Sequence, residues 1–130
     1  MPEEDAELFH RSIDAINRRD LEAFVALMDQ DVRAGSRIAT VDGFHGHAGI
    51  RQWWGNWLDA FPDYQLEVVD IRPYGDALVA TFSAGGHGAT SGVPFEDNAW
   101  LASRWRNGRC IWWQACRSEA EALEAAGLSG

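Results

Sequence analysis

A β-hairpin is predicted for the stretch from Asp97 to Arg117, which reads DNAWLASRWR, then Asn107-Gly108, then RCIWWQACR. A type I′ turn needs positive φ at both central residues, and Asn-Gly is the dipeptide that most strongly signals such a turn. With Asn107-Gly108 as the turn, Arg106 pairs with Arg109, and this pair sets the register of both strands. The hairpin therefore constrains the fold more than any other stretch.

The predicted register sets each tryptophan of the hairpin opposite a small residue, which lets a sheet accommodate indole rings without a clash. The predicted pairs are Trp105 with Cys110, Ser103 with Trp112, Ala102 with Trp113 and Trp100 with Ala115. Four of the seven tryptophans lie in this hairpin, so we expect it to form the middle of a sheet.

Tryptophan occurs on both faces of the hairpin, because side chains alternate along a strand. One face is expected to line the interior and the other to meet a partner surface, since mixed tryptophan and arginine are typical of interface centres. We therefore predict a homodimer through the sheet, with partly exposed tryptophan shielded by stacked arginine as the alternative. Which face points inward stays open at this point, because a single β-bulge would exchange the faces beyond it.

The chain has 130 residues, of which 46% are hydrophobic, as expected for a single globular domain over residues 1–130. Its net charge of −9 provides no basic surface, so neither nucleic acid nor a membrane is an expected partner. The N-terminus is acidic and no apolar run approaches the ~20 residues of a membrane span, so we expect a cytoplasmic protein.

Cys110 and Cys116 lie about 20 Å apart on one predicted strand, too far for a disulfide.

The N-terminal half predicts three helices. The first covers residues 5–18, and the second follows Asp20 as its N-cap, with Met28 as the last residue of its apolar face. Residues 31–41 form a weak strand, followed by the glycine-rich loop GFHGHAG. A third helix covers residues 48–61, where apolar residues recur with helical spacing until the next residue, a proline, ends the helix.

The second half changes to the alternating pattern of strands. Strands are predicted for YQLEVVDIRPY and ALVATFSA, followed by the loop GGHGATSGVPFE and the hairpin. A short C-terminal helix follows Ser118 as N-cap, with Glu121 as capping-box partner. The predicted fold is α+β: three helices of the N-terminal half pack in a strongly curved mixed or antiparallel sheet, and a short helix ends the chain. Such a sheet leaves a cavity at its wide end.

An aromatic-lined pocket for a small hydrophobic molecule is the main functional prediction, because such pockets are mostly apolar with a few polar groups. The candidate ligand-binding residues are Ser12, Trp53, Trp57, His87, Asn98, Trp100 and Gln114. A filled core with a few satisfied polar groups accounts for the same residues and is the alternative.

His87 is the leading candidate for proton transfer, because glycines flank it at a predicted strand end; an exposed loop histidine is the alternative. Asp42 and Asp97 lie at element ends, where they serve either as catalytic carboxylates or as turn and capping residues. His45 and His47 have no third ligand nearby in sequence, so no metal site is predicted. The sequence has no phosphate-binding or nucleophile motif, and no cofactor is predicted.

Four stretches resemble the nuclear transport factor two-like superfamily, and within it the SnoaL-like polyketide cyclase and ketosteroid isomerase-like domains. They are NRRDLEAFVALMDQDV, GFHGHAGIRQWW, AFPDYQLEVVDI and WRNGRCIWWQACRSEAEALEAAGL. The resemblance implies a cone-shaped α+β barrel, which is usually dimeric in this superfamily. It leaves the function open, because the superfamily contains isomerases, cyclases, dehydratases, epoxide hydrolases and non-catalytic modules.

The resemblance to ketosteroid isomerase does not extend to its proton-transfer residues. The oxyanion-hole tyrosine of that enzyme falls at Ser12, its aspartate at Ser36 and its second carboxylic acid at Leu101. Serine is no base near neutral pH, and leucine cannot donate a hydrogen bond. The functional prediction, which rests on the apolar pocket and on His87, is a small apolar-ligand-binding protein that acts as a cofactor-independent isomerase, cyclase or dehydratase. A non-catalytic binding or dimerisation module is the alternative.

Overall fold

The computed structural model describes residues 2–35, 44–58, 63–87 and 94–129. Its helices are α1 (Pro2–Arg18), α2 (Leu21–Ala26), α3 (Gly46–Leu58) and α4 (Glu119–Ser129). Its strands are β1 (Met28–Gly35), β2 (Phe44–His45), β3 (Gln65–Tyr74), β4 (Ala77–His87), β5 (Pro94–Arg106) and β6 (Arg109–Cys116). The fold is α+β, as the sequence predicts. No helix within these ranges has both the length and the apolar character needed to cross a membrane.

The described strands form one six-stranded sheet in the order β2-β1-β6-β5-β4-β3. The β5–β6 hairpin lies at its centre, which confirms the position predicted from the tryptophan content. Neighbouring strands are antiparallel except β1 and β6, which pair in parallel and make the sheet mixed. The first strand of the chain therefore lies beside the last one, and the central hairpin is enclosed on both sides.

The sheet has an inner face, which packs against α1, α2 and α3, and an outer face, which packs against α4. On the inner side, α1 buries Phe9, Ile13 and Ile16, which recur at helical spacing. Small residues dominate the outer cluster and let α4 lie close to the sheet. The buried members of that cluster are Ala77, Val79, Ala102, Cys116, Ala122 and Ala126.

The turn of the hairpin has the predicted geometry. The backbone φ angle is 54° at Asn107 and 78° at Gly108, so both central residues adopt the left-handed conformation of a type I′ turn. Arg106 pairs with Arg109 across it, as predicted. The turn chemistry of two adjacent residues thus sets the centre of the sheet.

Beyond the pair that follows this turn, the predicted register is wrong by one residue. The ladder pairs Trp105 with Cys110 and then Arg104 with Trp112, which leaves Ile111 as the extra residue of a β-bulge. The corrected pairs are Ser103 with Trp113, Ala102 with Gln114, Leu101 with Ala115 and Trp100 with Cys116. The bulge therefore exchanges the inward and outward side chains of β6 beyond it, relative to strict alternation.

Several element boundaries differ from the predictions. Met28 begins β1 instead of ending the second helix, because an apolar residue at this junction fits either a helix face or a buried strand position. β2 lies within the predicted glycine-rich loop, and α3 begins earlier than predicted, at Gly46, where φ is 69°. β4 extends to His87, since pairing with β5 continues past the glycines that suggest a loop. Residues 36–41 and 59–61 of the predicted elements lie outside the described residues.

Asn17 joins the end of α1 to the edge of the sheet. Its Nδ2 donates a hydrogen bond to the carbonyl of Leu66 at 2.9 Å, and its Oδ1 accepts one from the Leu66 N–H at 2.8 Å. The side-chain amide therefore satisfies both backbone groups of an edge-strand residue, as a further strand would. This contact holds α1 against β3 on one side of the inner face.

The C-terminal helix α4 is anchored at both ends. Ser118 Oγ accepts a hydrogen bond from the Glu121 N–H at 3.1 Å, which confirms the predicted N-cap. Near the other end, the buried Arg104 donates to the carboxylate of Asp76 and to the carbonyl of Ala126. A cation at a helix C-terminus also interacts favourably with the helix dipole. The alternation pattern of the hairpin alone suggests that Arg104 is exposed on an outer face. In the structure α4 covers it instead.

Two glycine substitutions test the turn. At Gly108, where φ is +78° and nothing lies near an added Cβ, Gly108→Ala introduces backbone strain without a steric clash. We expect it to lower the free energy of unfolding by roughly 1–2 kcal/mol in urea denaturation. The control is Gly127→Ala in α4, which also meets open space and raises stability by about 0.5–1 kcal/mol. Equal effects of the two substitutions would contradict the turn assignment.

Candidate functional site

We use the term groove for the inner face of the two central strands, β5 and β6, which lies between the strands that contact α1 and the strands that contact α3. On one side α1 packs against β3 and β4, and on the other α3 packs against β1 and β2. Leu101 of β5 and its cross-strand partner Ala115 lie in this groove and remain partly exposed. Accessible apolar side chains on a surface that otherwise forms a core are typical of a site for an apolar molecule.

Four aromatic residues pack together on the α3 side of the groove, and we call them the aromatic cluster: Phe24, Trp53, Trp54 and Trp113. Trp53 stacks on Phe24 with ring centroids 5.6 Å apart, and it meets Trp113 edge to face at 5.1 Å. The ring centroids of Phe24 and Trp54 lie 5.4 Å apart. Phe24, Trp54 and Trp113 are buried, whereas Trp53 is partly exposed. Trp53 therefore forms the accessible surface of the cluster.

Contacts at the start of α3 position the two tryptophans of this helix. His47 Nε2 donates a hydrogen bond to the carbonyl of Met28 at 2.9 Å, which fixes the first turn of α3 to β1. Arg51 forms an ion pair with Glu22 at 2.8 Å, which joins α3 to α2. Trp113 reaches the same cluster from β6 because the bulge turns its side chain inward.

The polar groups on the inner face already have hydrogen-bond partners within the protein. Ser12 Oγ donates to the carbonyl of Phe9 at 2.6 Å, within its own helix. Ser103 Oγ accepts a hydrogen bond from Trp105 Nε1 at 3.1 Å. Among the residues whose side chains the structure describes, which exclude His87 and residues 94–98, no buried carboxylate or imidazole accompanies them. The described inner face is therefore largely apolar, and its two serines supply no base.

One buried donor is the exception. Trp113 Nε1 is closed off from solvent, and in the described part of the chain no acceptor lies within hydrogen-bond distance of it. The sequence contains no signal for this group, since strict alternation from the turn assigns Trp113 to the face opposite Trp105. Phe24 appears in the sequence only as one residue of a helical apolar stripe. Both become site residues through tertiary packing.

The structure separates the described candidate ligand-binding residues into two groups. Ser12 and Trp53 belong to the inner side of the sheet. Trp100 packs against the α4 cluster on the outer face, and Gln114 lies on that face too, with its carboxamide against Gly35. One ligand therefore cannot contact both groups in this arrangement, and the ligand-binding role of each residue stays a prediction.

The other candidates cannot be placed by side chain. Three of the candidate ligand-binding residues have side chains outside the described part of the structure: Trp57, His87 and Asn98. The same holds for the Asp97 side chain, and both Ser36 and Asp42 lie outside the described residues. The proposed proton-transfer role of His87 stays a prediction.

The remaining histidines and the cysteines have structural surroundings. His45 is exposed on β2, and His47 is bound to the β1 backbone as described above. Within the described ranges, no three His, Cys, Asp or Glu side chains form a group that could hold a metal. Both cysteines are free and buried. Burial raises the pKa of the Cys110 thiol to about 12 and that of Cys116 to about 11, so both thiols are protonated near neutral pH.

Comparison with protein families gives one match that covers most of the chain. The model of the SnoaL-like domain matches residues 9–113. No curated protein sequence matches the chain at a significant level.

Solved structures share the fold at low sequence identity. IdmH from Streptomyces antibioticus, a suggested polyketide cyclase, is 23% identical with a TM-score of 0.75 and covers 94% of this chain and 97% of its own. AclR from Streptomyces galilaeus, a suggested hydroxylase, is 21% identical with a TM-score of 0.73 and covers 98% of both chains. TerC, co-crystallised with polyporic acid, is 16% identical with a TM-score of 0.77 and covers 95% of this chain and 98% of its own.

A pair of substitutions tests whether the Trp113 N–H is unpaired. Trp105 and Trp113 are both buried on the inner face, but only the indole of Trp105 has a hydrogen-bond acceptor in the described structure. Trp105→Phe removes a hydrogen bond, whereas Trp113→Phe removes none. We therefore expect Trp105→Phe to lower the free energy of unfolding by about 0.5–1.5 kcal/mol more than Trp113→Phe, as measured by urea denaturation. An equal or larger cost for Trp113→Phe would contradict the assignment.

Proposed function

Because the chain belongs to the SnoaL-like domain family, whose members vary in activity, we propose a function from the site itself: the protein binds a small apolar molecule in the groove. The ligand lies on the inner face of β5 and β6, between α1 and α3, and covers Leu101 and Trp53. The observation that supports this most directly is the partial exposure of these two side chains beside buried core residues of the same face.

Hydrophobic burial provides the binding free energy in this proposal. Covering apolar surface contributes about 25 cal/mol per Å², so a ligand needs broad contact rather than many polar groups. Trp53 offers a large flat surface for such contact, and ring contacts add about 0.5–1.5 kcal/mol each. A flat, ring-containing molecule matches this surface best.

Electrostatics favour a neutral ligand. The one buried basic side chain among the described residues, Arg104, lies on the outer face beneath α4 and is paired with Asp76. The net charge of the whole chain is −9, which repels an anion at long range. An anionic group in the groove would therefore lose its hydration without gaining a described counter-charge.

The catalytic form of the proposal is an isomerisation, cyclisation or dehydration without a cofactor. The solved structures of similar fold include a suggested polyketide cyclase and a suggested hydroxylase, which supports catalysis as one use of this fold. Proton transfer is assigned to His87 on the sequence argument given above, because Ser12 and Ser103 lack useful basicity.

Binding without catalysis is the second candidate, and one observation favours it. Both buried serine hydroxyls of the inner face are engaged with protein partners: Ser12 with the Phe9 carbonyl and Ser103 with the Trp105 indole. A site that holds a ligand by apolar contact needs no further polar group. Turnover of an identified ligand distinguishes an enzyme from a binding protein.

A polar substitution in the groove tests ligand binding. We expect equilibrium dialysis to detect binding of at least one compound from a panel of neutral two- to four-ring molecules, with fluorene as the reference. Leu101→Gln places an amide in the groove and weakens that binding by roughly tenfold, since burying an unpaired amide costs about 1–3 kcal/mol. Val69→Gln is the control, because Val69 is 66% exposed on an edge strand. Absence of binding across the panel, or equal loss in both variants, would refute the site.

A homodimer through the outer face of the sheet is the proposed assembly. Trp100 and Trp112 lie on this face and remain partly exposed beside α4. Sedimentation equilibrium at micromolar protein is expected to give about twice the monomer mass of 14.4 kDa. Trp100→Glu lowers the mass towards the monomer by placing a charge in the interface, whereas Tyr74→Glu on the exposed edge strand does not. A monomer mass for the unsubstituted chain would refute this assembly.

A further inference from the structure

Trp113 has a buried hydrogen-bond donor without a partner. The side chain is 5% exposed, its Nε1 is closed off from solvent, and no acceptor in the described part of the structure is within reach. The large majority of buried side-chain polar atoms in native proteins have a hydrogen-bond partner. Leaving one unpaired costs about 1–3 kcal/mol, so an unpaired donor indicates a position where an acceptor is to be supplied.

Trp105 shows that the sheet can satisfy an indole in this environment. It lies on the inner face of the neighbouring strand, is similarly buried, and donates from Nε1 to Ser103 Oγ at 3.1 Å. Ser103 is also the cross-strand partner of Trp113. Its hydroxyl oxygen is thus directed to the Trp105 indole, and the Trp113 indole remains without an acceptor.

The surroundings of Trp113 limit what its partner can be. Trp53 contacts it edge to face at 5.1 Å and is the partly exposed member of the aromatic cluster. The described side chains that pack with these rings are apolar, and no cation among them faces the groove. A suitable partner therefore combines apolar rings with a neutral acceptor, because a carboxylate or phosphate would be desolvated without a counter-charge.

We propose that Trp113 Nε1 donates a hydrogen bond to a neutral oxygen, such as a ketone or quinone carbonyl, of the molecule that binds in the groove. The inference rests on the proposed function, since it concerns the orientation of a ligand in the same groove. Apolar contact then provides most of the affinity, and the Trp113 donor selects molecules with an oxygen at one position. Rejection of analogues that lack this oxygen follows, because they leave the donor unpaired.

Access to Nε1 requires a movement of the aromatic cluster. The atom has no exposed surface, so an oxygen can reach it only after a neighbouring side chain shifts. Trp53 is the neighbour with freedom to do so, because it is partly exposed whereas Phe24 and Trp54 are buried. The ligand's rings then lie between Trp53 and Trp113, so that Trp53 still contacts the ligand.

A matched pair of probes tests the donor. Fluorene and 9-fluorenone have the same three-ring framework, and only fluorenone has a carbonyl oxygen. Equilibrium dialysis against the unsubstituted protein is expected to show roughly tenfold tighter binding of fluorenone, which is the difference that one buried hydrogen bond contributes. Binding of fluorene with no preference for fluorenone overturns the donor inference and leaves the apolar site standing. Binding of neither probe overturns both.

Two variants assign the preference to one indole. Trp113→Phe removes the donor and keeps an aromatic ring, so fluorene binding persists while the preference for fluorenone disappears. Trp112→Phe removes an indole of the same strand that lies on the outer face, and the preference remains. A preference that survives Trp113→Phe, or that disappears in Trp112→Phe, overturns the assignment. Both variants are first checked for folding by urea denaturation, and fluorene binding provides a second check.

The movement of Trp53 has its own kinetic readout. In stopped-flow mixing, Trp53→Ala is expected to speed fluorenone association by about tenfold, because binding steps that wait for a conformational change are slow. The ratio of fluorenone to fluorene affinity is retained in this variant, since the Trp113 donor is intact. An unchanged association rate would overturn the role given to Trp53.

Discussion

The extra residue Ile111 in β6 is the constraint on which the rest of the structure depends. It interrupts strict alternation in the central hairpin, so that Trp113 points to the helices and Trp112 points to α4. Without it, Trp113 would occupy the outer face and the aromatic cluster would lose its contribution from the sheet. The bulge therefore decides both the packing of α3 and the chemistry of the groove.

The two faces of the sheet solve different packing problems. On the inner face, large rings from α2, α3 and β6 meet at an angle and leave Trp53 accessible. On the outer face, small side chains allow α4 to lie close to the strands, and Arg104 holds the end of that helix. The outer side is thus a close-packed anchor. The inner side combines a core with partly exposed apolar side chains, which we propose as the contact surface of a ligand.

Local sequence signals predicted the elements whose chemistry is local. Asn107-Gly108 adopts the expected turn because both residues tolerate positive φ, and Ser118 caps α4 through its own hydroxyl. Helical spacing identified α1 and α3. Predictions failed where a choice depended on distant partners: Met28 fits a helix face as well as a strand, and His87 follows glycines that suggest a loop although β4 continues through it.

The candidate site illustrates the same division. The sequence by itself determined an α+β fold centred on a tryptophan-rich hairpin, because turn chemistry and side-chain periodicity are properties of neighbouring residues. It also identified Trp53 as a candidate. Only the tertiary structure decided that Gln114 and Trp100 lie away from Trp53, and that Trp113 is a buried donor without a partner among the described residues. A one-residue bulge has no clear local signature, and whether a donor finds an acceptor depends on which side chains meet across the sheet.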